Sequence, residues 1–167
     1  LNTREGRLLA LEEERLATRC DATTLISDAE AALFLSRQTG VSLPDVRVIG
    51  NGIDACVFDP ATVAAHPELT ATAGPPFVFT GQLDYRPNEE AALWAIESFL
   101  PEARLRWNDA ELHIVGRNPT PSLKRYIKAP GVRIWGEVPD VKPFLAGASC
   151  VIAPLRIARG VQNKVLE

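Results

Sequence analysis

The chain has 167 residues, of which 46% are hydrophobic and 23% are charged, and its net charge is −3. That length accommodates one ordinary domain, or one domain plus part of another. The acidic balance argues against a general nucleic-acid binder, which would be strongly basic. No apolar run approaches the ~20 residues that span a bilayer, and no signal peptide is visible.

The three cysteines, Cys20, Cys56 and Cys150, are far apart and show no metal-ligand spacing. Reduced thiols in a cytoplasmic protein are therefore the economical interpretation. The chain contains no methionine and stops within a helical pattern. We therefore expect it to be a fragment of a longer protein.

The first 55 residues predict the order helix, strand, helix, strand. Ser27 and Glu30 have the spacing of a capping box, and Gly40 would end the helix that this box opens. The pair Asn51-Gly52 is interpreted as a loop, because no alternating partner strand follows at hairpin distance. The predicted helices cover about 4–19 and 27–36, and the predicted strands cover 23–26 and 46–49.

Residues 56–75 differ in composition from what precedes them. They are rich in Ala, Thr, Pro and Gly and show little periodicity, which is typical of a connector. The sequence therefore predicts three parts: the tail of a first lobe at 1–55, a connector at 56–75 and a second lobe at 76–167.

Apolar runs alternate regularly with helical patterns in the second lobe. Asn88 is predicted to cap a helix that ends before Pro101, Thr120 to cap the next, and Asp140 to open a short third one that ends at Ala146. Four buried strands are predicted at 77–80, 112–115, 132–135 and 150–153. Strands that alternate with helices imply right-handed crossovers, so the predicted fold class is α/β, a Rossmann-like parallel sheet with flanking helices.

Ligands of such sheets bind where the strands end. Residues that stop the four predicted strands mark this edge: Gly81, Gly116, Gly136 and Pro154.

The stretch 149–167, SCVIAPLRIARGVQNKVLE, carries the strongest functional pattern. A strand, a glycine loop and a helix start would present free backbone N–H groups and a helix dipole to an anion. Arg159 and Lys164 lie on either side of Gly160 and add two cations, and Glu167 follows about a turn later. Cations for a diphosphate with a carboxylate for sugar hydroxyls suit a nucleotide-sugar site. The alternative is a loop whose Arg and Lys are merely solvated.

Five stretches together resemble the glycosyltransferase group 1 proteins, of the GT-B, family-4 type. They cover nearly the whole chain in the family's order: VRVIGNGIDACVFDP, FVFTGQLDYRPNEEAALW, LHIVGRNPTP, VRIWGEVPDVKPFLAGASCVIAPL and RIARGVQNKVLE. The forms TG-x-x-DYRPN and RIARG-x-QNKVLE are especially similar to sugar transferases of bacterial exopolysaccharide clusters associated with PEP-CTERM sorting.

The resemblance implies two Rossmann-like lobes and a hexosyltransferase activity. It implies that the C-terminal lobe holds a nucleoside-diphospho-sugar, that the N-terminal lobe binds a glycan or lipid-linked acceptor, and that the anomeric configuration is retained. No cofactor or metal is expected, since no Asp-x-Asp triplet occurs. The expected location is cytoplasmic, either free or at the inner face of the plasma membrane. With most of one lobe missing, the fragment alone is expected to be inactive.

The family's site residues carry over unevenly. Glu167 matches the family's ribose-binding Glu, and Val138 matches a position that lies against the nucleobase. The family usually has two Glu residues separated by seven others. The earlier of these positions, eight before Glu167, is Arg159 here, so Arg159 is expected to meet the diphosphate or an acidic sugar. The loop after Gly81 commonly offers Arg and Lys to phosphate. Here it has Gln82 and Pro87, with Arg86 as its one cation.

Several of these residues have a structural alternative. His113 is interpreted as a core histidine rather than a catalytic base, and Asn88 as a helix cap rather than a ligand contact. Trp135 would either stack on a base or pack in the core, and Arg86 would contact phosphate or lie in a surface turn. Two rival functions also stay open. One is a sugar-nucleotide epimerase of the same fold, and the other is a non-catalytic lobe that binds nucleotide or a partner protein.

Overall fold

The structure is a computed structural model that describes residues 3–38, 44–156 and 163–166. The described residues divide into two compact units, one within 3–52 and the other comprising 53–156 and 163–166. None of the described helices is long and apolar enough to cross a membrane.

The first unit has the predicted order of helix, strand, helix and strand. Its elements are α1 (Thr3–Ala17), β1 (Thr23–Leu25), α2 (Asp28–Ser36) and β2 (Val46–Val48). The Ser27 hydroxyl accepts a hydrogen bond from the Glu30 N–H at 3.3 Å, as the predicted cap requires. The two strands pair in parallel, with Thr23 opposite Val46. The predicted helix end at Gly40 lies outside the described residues.

The second unit contains a four-stranded sheet in the order β5-β4-β3-β6, and every pairing in it is parallel. Its helices are α3 (Pro67–Thr70), α4 (Arg86–Trp94), α5 (Leu100–Arg106), α6 (Pro121–Lys124) and α7 (Lys142–Gly147). Its strands are β3 (Pro76–Thr80), β4 (Glu111–Val115), β5 (Val132–Gly136) and β6 (Cys150–Val151). The predicted fold class is therefore confirmed.

Helices cover both faces of this sheet. All five residues of β3 are buried. Because side chains alternate along a strand, Phe77 and Phe79 face one layer while Val78 faces the other. The first layer contains Ala91 and Ala92 of α4, Leu100 and Ala103 of α5, and Ala95 between these two helices. The second layer contains Leu69 of α3 and Phe144 of α7. Burial on both faces explains why the strand is a continuous apolar run.

The sequence predicted that the helix after β3 ends before Pro101, but the helical path continues beyond that residue. A five-residue π-helical segment, Ala95–Phe99, joins α4 to α5. The Leu100 N–H donates to the Ala95 carbonyl, five residues back. Such a wide turn relieves the clash between the proline ring and the carbonyl four residues before it, and proline has no N–H to leave unpaired. The helical path therefore continues to Arg106.

The starts of two helices also differ from the prediction. Helix α4 begins at Arg86, and Tyr85 is its N-cap residue without a side-chain bond. Asn88 therefore lies inside the helix, and its predicted role as the cap is wrong. Helix α7 begins at Lys142 rather than Asp140, and the Asp140 carboxylate accepts from the Lys142 N–H at 3.0 Å.

Candidate functional site

Three glycines line the carboxyl edge of the sheet, directly after β3, after β4 and at the end of β5. The Gly81 N–H donates to the Val115 carbonyl at 3.1 Å, and the Gly116 N–H donates to the Gly136 carbonyl at 2.8 Å. A Cβ atom on Gly116 would lie 1.7 Å from the Gly81 carbonyl oxygen. The backbones at the ends of β3 and β4 therefore meet at a distance that only glycine permits.

Lys164 reaches this edge from the far end of the chain. Its Nζ donates to the Thr80 carbonyl at 2.7 Å and to Asn88 Oδ1 at 3.0 Å. The ammonium also lies 4.7 Å from the centroid of the Phe79 ring, where the π electrons attract a cation. A Cβ on Gly81 would lie 3.0 Å from Nζ, so the glycine leaves room for the lysine. The structure thus brings together the predicted site residues Gly81 and Lys164.

Asn88 is the residue that holds Lys164 and the glycine turn together. It is only 8% exposed. Its Nδ2 donates to the Gln82 carbonyl at 3.0 Å while its Oδ1 accepts from Lys164. Sequence reasoning considered Asn88 a cap because cap rules use only local neighbours, and Lys164 is 76 residues away. The local signal gives no sign of this partnership.

The loops after β3 and β4 are joined by polar contacts. Arg117 Nη2 donates to Gln82 Oε1 at 2.7 Å, and the Leu83 N–H donates to the Arg117 carbonyl at 2.9 Å. Asn118, which has a left-handed φ of 57°, donates from Nδ2 to Asp84 Oδ2 at 3.1 Å. Further from the edge, the Thr120 hydroxyl donates to Glu89 Oε1 at 2.7 Å.

These contacts also set the charge state of the first loop. Hydrogen bonds from Gln82 and then Asn118 hold the pKa of the Asp84 carboxyl below its usual value, and the nearby Arg117 charge acts in the same direction. Asp84 is therefore an anion at neutral pH and lies beside the Arg117 guanidinium. The contact between Arg117 and Gln82 joins residues 35 apart and has no local signal in the sequence.

Arg86 and Val138 have other surroundings. Arg86 is exposed on the first turn of α4 and pairs with Glu90 at 2.8 Å, which raises the pKa of its guanidinium. Val138 is half-buried after β5 and packs with Phe144 and Val115. The contacts of these two predicted site residues are thus with a surface carboxylate and with the core.

The other predicted site residues, Arg159, Gly160 and Glu167, lie outside the described residues. The helix predicted after Gly160 is described only in part. Asn163–Val165 form a 3-10 turn rather than an α-helical one. Lys164 is the central residue of that turn.

His113 lies in the core, away from the glycine edge. It is 1% exposed, and burial lowers the pKa of its imidazole, opposed by the Glu111 carboxylate. Its Nδ1 accepts from Trp135 Nε1 at 3.2 Å, and its Nε2 lies 3.4 Å from Glu111. The imidazole is therefore neutral with its proton on Nε2.

Trp135, which donates to His113, is packed edge-on against Phe144 at 4.9 Å between ring centroids. Of its two sequence interpretations, the structure shows core packing.

No cluster of three or more His, Cys, Asp or Glu side chains able to hold a metal ion occurs among the described residues. Among the described residues, the charged groups close to the glycine edge include the ammonium of Lys164, the guanidinium of Arg117 and the carboxylate of Asp84. This arrangement can bind an anion at the end of a parallel sheet, where doubly wound folds place their ligands.

Comparison with known families identifies the class of protein. The model of the family described as Glycosyl transferases group 1 matches residues 74–167, which is more than half of the chain. The chain therefore belongs to the glycosyl transferases group 1 family.

Solved structures with a similar fold are glycosyltransferases with the GT-B fold. One is Anabaena Alr3699/HepE in complex with UDP and glucose, with 16% identity and a TM-score of 0.52 over 85% of this chain. Another is the trehalose-6-phosphate synthase OtsA, with 14% identity and a TM-score of 0.56 over 81% of this chain. An apo structure of OtsA matches similarly, with 13% identity, a TM-score of 0.56 and 81% coverage of this chain.

These matches extend over 40% of each solved chain, so the present chain spans about two fifths of their length. A search of curated protein sequences gave no match.

Proposed function

We propose that the chain is the donor-binding part of a glycosyltransferase that moves a sugar from a nucleoside-diphospho-sugar to a glycan or lipid-linked acceptor. The observation that carries this proposal is the position of Lys164. The chain belongs to the glycosyl transferases group 1 family. The ammonium of Lys164 lies 2.7 Å from the carbonyl oxygen of Thr80, the last residue of the central strand β3. Transfer generates a nucleoside diphosphate, and a cation held at this edge would stabilise the charge that develops on the leaving group.

The glycine turn adds to this stabilisation. Helix α4 starts five residues after Gly81, so the positive end of its dipole and its first backbone N–H groups are close to the same edge. Because Lys164 is half-buried and bound through two hydrogen bonds, little side-chain freedom remains to be lost when a diphosphate binds. In this proposal Arg159 and Gly160 contribute to the diphosphate site, Glu167 binds the ribose, and Val138 lies against the nucleobase.

Binding measurements on the full-length protein test the donor site. In calorimetric titrations we expect one of UDP, GDP, ADP and dTDP to bind, and we expect the sugar conjugate of that nucleotide to bind as well. Charge-assisted hydrogen bonds contribute roughly 1.5–3 kcal/mol each, so Lys164→Ala should weaken that binding by about 10- to 100-fold. The matched control is Lys124→Ala, which removes an exposed lysine at the end of α6. Equal affinity of the Lys164→Ala variant and the parent would show that the phosphate site is elsewhere.

The finer parts of the proposal have separate readouts. We propose a hexosyl donor, retention of the anomeric configuration, and turnover without a divalent metal. An NMR assignment of the product anomer and an activity assay in EDTA check the last two. Product formed from the nucleotide sugar without any acceptor would instead indicate an epimerase. Tight nucleotide binding without turnover in the full-length protein would indicate a non-catalytic lobe.

The cellular role is also a proposal. We place the enzyme in bacterial exopolysaccharide biosynthesis, in the cytoplasm or at the inner face of the plasma membrane. The 167-residue chain alone should not transfer sugar, because the active site of a two-lobe enzyme lies in the cleft between its lobes. Loss of extracellular polysaccharide in a deletion strain, restored by the parent gene and not by Lys164→Ala, would support the role. A polysaccharide of unchanged amount and composition in the deletion strain would contradict it.

A further inference from the structure

We propose that Arg117 is a second cation of the diphosphate site and that Gln82 positions it. This inference rests on the proposed function, because it names a further residue of the same site. Arg117 directly follows Gly116, the residue whose backbone touches the Gly81 carbonyl. Lys164 lies against Gly81 from the other direction. The residue that follows one glycine of this pair is thus an arginine, and the ammonium of Lys164 lies against the other glycine.

The guanidinium of Arg117 is held in place by the neighbouring loop. Gln82 Oε1 accepts one of its N–H groups at 2.7 Å, and the Leu83 N–H bonds the Arg117 carbonyl at 2.9 Å. Arginine has five N–H donors in a planar fork, so the bond to Gln82 orients the guanidinium and leaves further donors for a phosphate. An amide is a suitable holder, since a carboxylate at residue 82 would neutralise the charge that the phosphate needs.

Asp84 is the protein's own anion beside this arginine. Its carboxylate accepts from Asn118 at 3.1 Å and is ionised at neutral pH. The Asn118 bond satisfies one carboxylate oxygen and keeps Asp84 tied to the start of the β4 loop. A diphosphate bound at this edge would then be a second anion beside Arg117. In this proposal the three hydrogen bonds between the loops after β3 and β4 position Arg117 for the ligand as well as stabilising the loops.

Calorimetric titration of the full-length protein tests the inference. The probes are whichever of UDP, GDP, ADP and dTDP binds the parent most tightly, and the corresponding nucleoside. Arg117→Ala should weaken diphosphate binding by about 10- to 100-fold and leave nucleoside binding unchanged. Arg117→Lys should recover little of the loss, because an ammonium does not reproduce the fork. Arg125→Ala is the control, since Arg125 is an exposed arginine that contacts Glu97, away from the glycine edge.

The role of Gln82 is tested by two further variants. Gln82→Glu should weaken diphosphate binding by placing a carboxylate on Arg117. Gln82→Ala should weaken it less, and should have no further effect when Arg117 is already alanine. These variants change exposed side chains, and circular dichroism checks that each is folded.

The outcomes separate this inference from the proposed function. If Lys164→Ala loses the diphosphate while Arg117→Ala binds it as the parent does, the inference is wrong and the proposed function stands. If Arg117→Ala weakens diphosphate and nucleoside equally, Arg117 has a structural role and the inference is also wrong. If the parent binds none of the four diphosphates, the proposed function fails first.

Discussion

The contact between Gly116 and Gly81 makes a sharp stability prediction for Gly116→Ala. The added Cβ would lie 1.7 Å from the Gly81 carbonyl oxygen and 3.3 Å from Leu83 Cγ. The clashing atom belongs to the backbone, so relief requires the ends of β3 and β4 to separate by roughly 1 Å in a close-packed sheet. That movement would stretch the bond from the Gly81 N–H to Val115.

The loss of unfolding free energy in Gly116→Ala has two contributions. Overpacking costs about 1–3 kcal/mol. A φ of 158°, which side-chain-bearing residues rarely adopt, adds about 1–3 kcal/mol. The free energy of unfolding of the variant should therefore be about 2–6 kcal/mol lower than that of the parent, a large part of the stability of a small domain. Gly136→Ala is the control: its φ is 72°, but nothing lies within 4 Å of the added atom, so only backbone strain of about 1–2 kcal/mol applies.

Urea denaturation followed by tryptophan fluorescence is the assay. All three tryptophans, Trp94, Trp107 and Trp135, belong to the second unit, so the signal reports that unit alone. With a slope of about 1.5 kcal/mol per molar urea, the midpoint of Gly116→Ala should fall by roughly 1–4 M. The reasoning would be refuted if Gly116→Ala and Gly136→Ala had the same midpoint.

Two further predictions concern Asn88 and His113. Asn88→Ala should lower the free energy of unfolding by about 1–3 kcal/mol, because the Gln82 carbonyl and the ammonium of Lys164 each lose a buried partner. The substitution should also weaken nucleoside-diphosphate binding by about tenfold. Unchanged affinity in calorimetry would show that Lys164 is held in place without Asn88. Because burial lowers the pKa of His113, the unfolded chain binds its proton more tightly, so stability is fully present above about pH 6.5 and falls as the pH drops below it. His113→Asn keeps an acceptor for Trp135. The variant should be less stable than the parent at pH 7.5, but its stability should not show this part of the pH dependence. If urea titrations between pH 7.5 and 5 gave parent and variant the same change of unfolding free energy with pH, the assignment to His113 would be wrong.

The elements that the sequence predicted well depend on local chemistry. The apolar runs around Val78 and Ile114 are strands because a parallel sheet buries both faces, and Ser27 and Thr120 cap helices through bonds to residues three positions on. The burial of His113 followed from its apolar neighbours. Composition and periodicity contain this information directly.

The error at Pro101 is local, because the preceding π-helical segment lets the helical path continue where a proline would otherwise end it. The misassigned role of Asn88 and the missed contact of Arg117 have a different cause, which is contact between distant residues. Asn88 looks like a cap until Lys164 is placed beside it, and the bond between Arg117 and Gln82 spans 35 residues. Tertiary packing overrides local preference at these positions.

The bond from Lys164 to Thr80 also has a consequence for the order of folding. It joins residues 84 apart, whereas the pairing of β3 with β4 joins residues 35 apart. Closing the longer loop costs about 0.8 kcal/mol more in chain entropy. The sheet edge should therefore form first, and the lysine should dock onto it late and be among the first contacts to open. The element that we propose to hold the leaving group would then exchange readily between docked and undocked states.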